Sequence, residues 1–185
     1  MRKDFGSKPW MYPLPVLIIG AYDENGKANA MNAAWGGIYE ANQVVLCLSE
    51  GHKTTKNIRE TGAFTVNIAD AAHMLAADYV GLVSGNTAAD KMECAGFHTV
   101  KSGFVNAPII EELPMALECK LVKFNEDGNI VGEIVNVSAD ERVLGADGLI
   151  DAAKVDAITF DPVHNAYLRL GEKVGSAFRD GAELG

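Results

Sequence analysis

Hydrophobic positions along this chain fall in short runs punctuated by glycine, asparagine and aspartate. Val16-Leu17-Ile18-Ile19-Gly20-Ala21-Tyr22 is the first such run and predicts a strand that ends at Asp23-Glu24-Asn25-Gly26. The Asn-Gly pair predicts a type I′ hairpin turn, because both central positions of that turn need positive φ. The return strand then covers residues 27–33. Val44-Val45-Leu46-Cys47-Leu48 is apolar throughout, as expected of a strand covered on both faces. A short helix is predicted to begin at Lys53-Thr54-Thr55, where a Thr hydroxyl can cap free amides, and to run through Arg59 to a stop at Gly62. Residues 63–68 read as a further strand. Residues 70–83 read as a helix capped by Asp70, with Ala72, Leu75, Ala76, Tyr79 and Val83 on one face.

Residues 84–103 are polar, rich in Gly and Lys, and without period. They predict a long ordered loop, and such loops more often carry function than not. Leu117, Cys119 and Leu121 alternate with Glu118 and Lys120 in a strand pattern, and Asp127-Gly128 marks the turn into a partner strand over 129–137. A turn at Ala146-Asp147-Gly148, a helical turn over 151–154 and a strand over 155–160 complete the pattern. Many short strands with only two evident helices predict a mainly β fold, a closed or partly closed antiparallel barrel.

Composition narrows the partners. A chain of 185 residues with 48% hydrophobic and 22% charged residues suits a single domain over 1–185 with one large core. The net charge of −9 argues against nucleic acid or an anionic membrane as the main partner, while leaving room for a local basic pocket. No apolar segment follows Arg2 and Lys3, so a secretory signal is not expected, and no apolar run is long enough to span a bilayer. Cys47, Cys94 and Cys119 are odd in number and widely separated, which fits neither a disulfide framework nor a zinc site. The expected setting is the cytoplasm, with no bound metal.

Familiar catalytic signatures are missing. The chain has no dinucleotide fingerprint after a strand, no Walker A loop, no zincin helix and no nucleophile elbow. Two local features stand out. Gly51-His52-Lys53-Thr54-Thr55-Lys56-Asn57 sits where a strand passes into a helix, and the free amides, hydroxyls and ammonium groups there suit a phosphate. The same residues also describe an ordinary capped helix with solvated lysines. Asn29-Ala30-Met31-Asn32-Ala33-Ala34-Trp35-Gly36-Gly37 combines small residues, amides and an indole, which suits a flat polar-edged ring. It equally describes a strand whose Trp packs in the core before a Gly-Gly bend.

Taken in order, these segments resemble the flavin reductase family, and within it the flavoredoxin-like proteins. The resemblance is carried by Pro13-Leu14-Pro15-Val16, residues 27–35, Lys53-Thr54-Thr55-Lys56-Asn57-Ile58, Thr65-Val66-Asn67-Ile68, Ser84-Gly85 with Asp90-Lys91, Gly132-Glu133-Ile134-Val135 and Ala166-Tyr167-Leu168-Arg169-Leu170-Gly171. It implies an FMN-binding split β-barrel with Greek-key antiparallel strands, usually a homodimer with FMN in a groove at the barrel's edge. Carried over by position, Asn29, Met31, Asn32, Ala33, Ala34 and Trp35 would line the isoalloxazine and ribityl chain. Ser49, Lys53, Thr54 and Thr55 would hold the ribityl-phosphate, Lys91 would reach the phosphate or the ring edge, and Tyr167 would lie near the flavin. Relatives often carry a histidine shortly before the Gly-Glu pair. Here Glu126-Asp127-Gly128-Asn129-Ile130-Val131 has none, and His164 is the substitute to consider.

The resemblance implies an FMN-dependent oxidoreductase that takes electrons from NADH, NADPH or a redox protein and passes them to a flavin or other acceptor. Chemistry carried by the cofactor fits a chain without an evident catalytic constellation. The alternatives are a flavoredoxin-type electron carrier with no NAD(P)H activity of its own, and a barrel that has lost its flavin.

Overall fold

The computed structural model describes residues 1–184. Strand β1 (Leu14–Pro15) leads into β2 (Leu17–Tyr22) and β3 (Ala28–Ala33), followed by β4 (Gly36–Glu40) and β5 (Gln43–Leu46). Helix α1 (Lys53–Thr61) precedes β6 (Ala63–Ile68), and α2 (Met74–Leu82) and α3 (Lys91–Ala95) precede the small pair β7 (Thr99–Lys101) and β8 (Pro108–Ile110). The longest strands are β9 (Met115–Phe124) and β10 (Ile130–Ala139). The short α4 (Ala152–Val155) then leads to β11 (Ile158–Asp161) and β12 (Ala166–Arg169).

Seven strands form one antiparallel sheet in the order β3-β2-β6-β9-β10-β5-β4, and β1, β11 and β12 form a second. The two edges of the large sheet, β3 and β4, are consecutive in the chain with only Ala34 and Trp35 between them. So short a link holds the edges near each other, and the sheet must curl. Contacts agree: a Cβ built on Gly36 of β4 would lie 3.3 Å from Leu17 Cδ1 of β2, across the seam. This is the mainly β, split-barrel architecture expected from the sequence.

Because strand side chains alternate, β2 buries both faces. Leu17, Ile19 and Ala21 point into the curl with Leu46, Ile58, Phe64 and Ile130. Val16 and Ile18 point outward into a second cluster with Ala30, Ala77, Val80, Phe97 and Ile110, roofed by α2 and α3. Strand β3 is thereby flanked by α1 on one face and α2 on the other, and both helices pack on it.

Several local expectations are corrected. The β2–β3 turn is not type I′: only Gly26 has positive φ (76°), and the Gly26 amide donates to the Asp23 carbonyl at 2.9 Å. The Asp23 carboxylate accepts from the Asn25 and Lys27 amides at 2.9 Å each. This stabilises a type I turn followed by a left-handed glycine. Strand β5 is fully covered on one side only, since Val44 and Leu46 are buried, while Val45 is half-buried and Cys47, just beyond its end, is exposed. Helix α2 starts at Met74 rather than Asp70. Asp70 is tied instead by a bridge to Ala157, and its carboxylate accepts from the His73 amide at 2.9 Å. The buried face of α2 is Ala77 and Val80, while Leu75 is 78% exposed. An almost uniformly apolar helix carries no phase information, and the packing against β3 chose the face. The stretch 84–103 is not all loop: it contains α3 and β7, and α4 brings the α-helices to four among the described residues.

Candidate functional site

A groove runs along the free edge of β3, between the start of α1 and the end of α2. From Asn29 to Ala34 it extends about 16 Å at the usual strand rise. As a sheet edge, β3 also offers backbone N–H and C=O groups that no neighbouring strand claims.

The first part is a cavity of about 150 Å³, walled by Asn29, Met31, Lys53, Thr54, Gly85 and Lys91 among others. It continues into a cavity of about 110 Å³ that shares Asn29, Lys53, Gly85 and Lys91 and ends at Asp23 and Lys27. The Asn29 side chain donates to the Thr54 hydroxyl at 2.7 Å. Having accepted that bond, Thr54 keeps its own proton to donate into the cavity. His52 stands at the N-cap of α1 and offers no side-chain cap, so the capping by a Thr hydroxyl expected from sequence does not occur, and the first-turn amides lack that partner. Thr55 is buried, and its hydroxyl has no hydrogen-bond partner. Lys53 lies 3.8 Å from the Asp23 carboxylate.

Lys91 is the distinctive member. It is only 3% exposed, yet its ammonium has no ion pair among the described residues. Burial alone pulls its pKa from 10.5 to about 8. A buried cation without a counter-charge, facing a cavity beside an uncapped helix start, is a site for an anion.

The close fit depends on two glycines. A Cβ on Gly85 would stand 2.1 Å from Asn29 Oδ1, and one on Gly81 would stand 2.9 Å from the Asn32 Cβ. Only glycine lets the end of α2 and the loop after it lie against β3.

Beyond Gly81 and Leu82 the groove opens into a recess of about 250 Å³ lined by Asn32, Ala34, Asp78, Phe160 and Tyr167. Asn32 donates to the Ala77 carbonyl at 3.0 Å, and the Tyr167 hydroxyl donates to Asp78 at 2.7 Å. Burial, and then that carboxylate, push the Tyr167 phenol up to about 12.

The sequence-derived residues therefore divide. Asn29, Met31, Lys53, Thr54 and Lys91 meet at one end of the groove, and Asn32, Ala34 and Tyr167 meet at the other. Ala33 packs in the inner core, and Thr55 is buried behind Thr54. Ser49 is exposed and caps nothing with its side chain; its carbonyl accepts from the His52 amide at 3.2 Å. Trp35 is 58% exposed, so the alternative of an indole packed in the core is excluded, and it stands outside the groove walls of this chain. His164 pairs with Asp161 at 2.8 Å, in the turn between β11 and β12 and apart from the groove. Asp78, Gly81 and Leu82 were not foreseen: they sit in a helix with no polar pattern, and only the docking of α2 on β3 brings them to the groove. Among the described residues no cluster suits a metal ion, and no helix is long and apolar enough to cross a membrane.

A curled antiparallel sheet with an edge groove of this kind defines a class, and the sequence agrees with it. The model of the flavin reductase like domain matches residues 10–158, and the chain belongs to that family. Among solved structures it is similar to the flavoredoxin of Desulfovibrio vulgaris (Miyazaki F), with 38% identity over 98% of this chain and 100% of that one and a TM-score of 0.94. It is also similar to the flavoredoxin from Methanosarcina acetivorans, with 30% identity, 100% and 99% of the two chains covered and a TM-score of 0.90. An uncharacterized protein of Aeropyrum pernix is 28% identical over 64% of this chain, which spans 46% of that longer relative.

Proposed function

We propose that the groove binds FMN, with its phosphate at Lys53, Thr54 and Lys91 and its ring toward Asn32, Ala34 and Tyr167. The observation that carries this reading is the buried, unpaired ammonium of Lys91 facing the cavity at the start of α1. The groove suits a mononucleotide on three counts: an uncompensated cation, a hydroxyl with a proton to give, and a glycine-lined approach at Gly81 and Gly85. When bound, FMN supplies the redox chemistry. The chain's own residues bind and orient it. Thr54, held by Asn29, donates to a phosphate oxygen; Lys91 neutralises charge out of water; the β3 edge offers backbone partners to a polar ring edge.

In this reading the protein is an oxidoreductase of the cytoplasm that takes electrons from NADH or NADPH and passes them to a flavin or other acceptor. A second reading, an electron carrier served by a redox protein, is favoured by the 38% identity with a flavoredoxin over nearly the whole chain. We further propose a second copy of the chain as partner, because Trp35, Ile38 and Tyr39 stand exposed on and beside the edge strand β4. Sedimentation at micromolar concentration tests that point.

Two measurements test the function. Purified protein incubated with FMN should become yellow, and Lys53→Ala or Thr54→Ala should weaken FMN more than riboflavin, since only FMN carries the phosphate. Equal losses for both ligands would refute the phosphate assignment. Stopped-flow mixing with NADH and NADPH separates the two readings, because a carrier shows no reduction by either.

A further inference from the structure

The segment that follows β12 holds a definite shape without resting on the body of its own chain. The Ser176 amide donates to the Asp180 carboxylate at 2.7 Å, and the Asp180 amide donates to the Ser176 carbonyl at 3.2 Å. These bonds close a hook that ends in a 3₁₀ turn over Asp180–Leu184. At its tip Phe178 has a φ of 60°, in the left-handed region that bulky side chains rarely adopt. Val174 and Phe178 are fully exposed, and Leu184 nearly so. Such strain persists where surrounding contacts hold it, and an apolar ring gains nothing by facing water. Among the described residues, nothing in the same chain supplies that contact.

The inner face of the curl offers the complement. A cavity of about 250 Å³ opens there, walled by Pro15, Leu17, Ile38, Val44, Val66 and Leu117 among others, and every residue that lines it is apolar. An apolar cavity of about 150 Å³ accepts a benzene ring, so this one has room for a phenylalanine side chain. It shares no residue with the flavin groove. Its rim at Ile38 belongs to the exposed apolar surface of β4 already given to a second copy. Charge matches as well: Arg179 follows Phe178, Glu40 follows Ile38 by two residues, and neither has an ion-pair partner among the described residues. From Arg169, where β12 ends, to Phe178 the chain can span up to about 30 Å, enough to cross to a neighbour.

We propose that the hook is an arm exchanged between two copies of this chain, with Phe178 of each copy seated in the apolar cavity of the other. The exchange is reciprocal, so it closes a two-fold dimer and leaves no free end for further growth. This inference rests on the second-copy reading above and is independent of the FMN assignment.

Sedimentation equilibrium and site-directed cross-linking test it together. Phe178→Asn removes the ring while keeping a residue that tolerates the left-handed backbone, and at a fully exposed position it leaves the fold of each chain intact. It should raise the dimer dissociation constant at least about tenfold, and Phe178→Leu should raise it less. For cross-linking, the two exposed cysteines are first removed as Cys47→Ser and Cys94→Ser, and Cys119 is buried. Chains carrying Phe178→Cys are then mixed with chains carrying Ile38→Cys and treated with a short bis-maleimide. A product joining one chain of each kind is expected, and none when Leu75→Cys on the far face replaces Ile38→Cys. A wild-type dimer that Phe178→Asn leaves equally tight, or cross-linking no better to position 38 than to position 75, overturns the arm exchange and leaves the second copy standing. A wild-type protein that is monomeric at micromolar concentration overturns both.

Discussion

Lys91 invites a direct exchange between stability and binding. The perturbation is Lys91→Met, which keeps an unbranched chain of similar length and removes the charge. In the flavin-free protein at pH 7, burial holds this lysine's pKa at about 8 against an ordinary 10.5, which corresponds to about 3 kcal/mol of stability forgone. The Met variant should recover up to that amount. The penalty is present in full below pH 8, because the amine is protonated both folded and unfolded. It fades as pH rises from 8 toward 10.5, where the folded chain has already released the proton that the unfolded chain still holds. Urea denaturation of wild type and variant at pH 7, 9 and 10.5 therefore gives a stability difference that shrinks steadily with pH.

Binding should move the other way. Loss of a charge-assisted contact to phosphate weakens FMN by about 1.5–3 kcal/mol, roughly tenfold to more than hundredfold. Riboflavin affinity should change far less. Fluorescence quenching of each flavin supplies both constants. A Met variant that is less stable than wild type without flavin, or one that binds FMN equally well, would refute the claim that Lys91 is a cation held without a partner for the sake of an anion.

Two further outcomes follow from the packing. Gly85→Ala would place a methyl 2.1 Å from Asn29 Oδ1, so it should displace the loop after α2, cost about 1–3 kcal/mol and weaken FMN at least tenfold by equilibrium titration. Of the three cysteines, Cys47 and Cys94 are exposed while Cys119 is buried with its thiol pushed up to about 12. Mass spectrometry after brief iodoacetamide treatment of the folded protein should thus find two modified cysteines, with Cys119 reacting only after unfolding.

How much of this was legible in the sequence depended on whether a signal was local. Strand β6 was read to the residue, and α1 to within two, because alternation and the closing Gly62 act within a few positions. The cation end of the groove was legible for the same reason, since Lys53 and Thr54 are adjacent and sit at a strand-to-helix corner. The face of α2 was not, because its apolar residues surround the whole helix and only the approach of β3 selects Ala77 and Val80. Asp78 entered the groove with that choice. Trp35 was open in both directions from sequence, and it stands exposed in the short link between β3 and β4. The strands β4, β7, β8 and β12 were not read: β7 and β8 have three residues each and pair with one another, and β4 and β12 are edge strands that form beside β5 and β11.

The distribution of charge makes one last quantity testable. The chain carries −9 overall, yet the FMN phosphate would approach a groove end bearing Lys27, Lys53 and Lys91. At low salt the whole-chain field reaches far into solution and repels an anion before the local cations are felt. At 0.1 M salt the screening length falls to about 10 Å, so the distant carboxylates drop out first. A contact with the desolvated Lys91 is screened much less. Association of FMN should therefore accelerate as salt rises from 10 to about 150 mM, while dissociation changes little, and stopped-flow fluorescence resolves the two. An association rate that falls with salt would mean that the groove's own positive end steers the ligand from a distance. Lys91 would then serve capture as well as retention, and Lys91→Met would slow association in addition to speeding release.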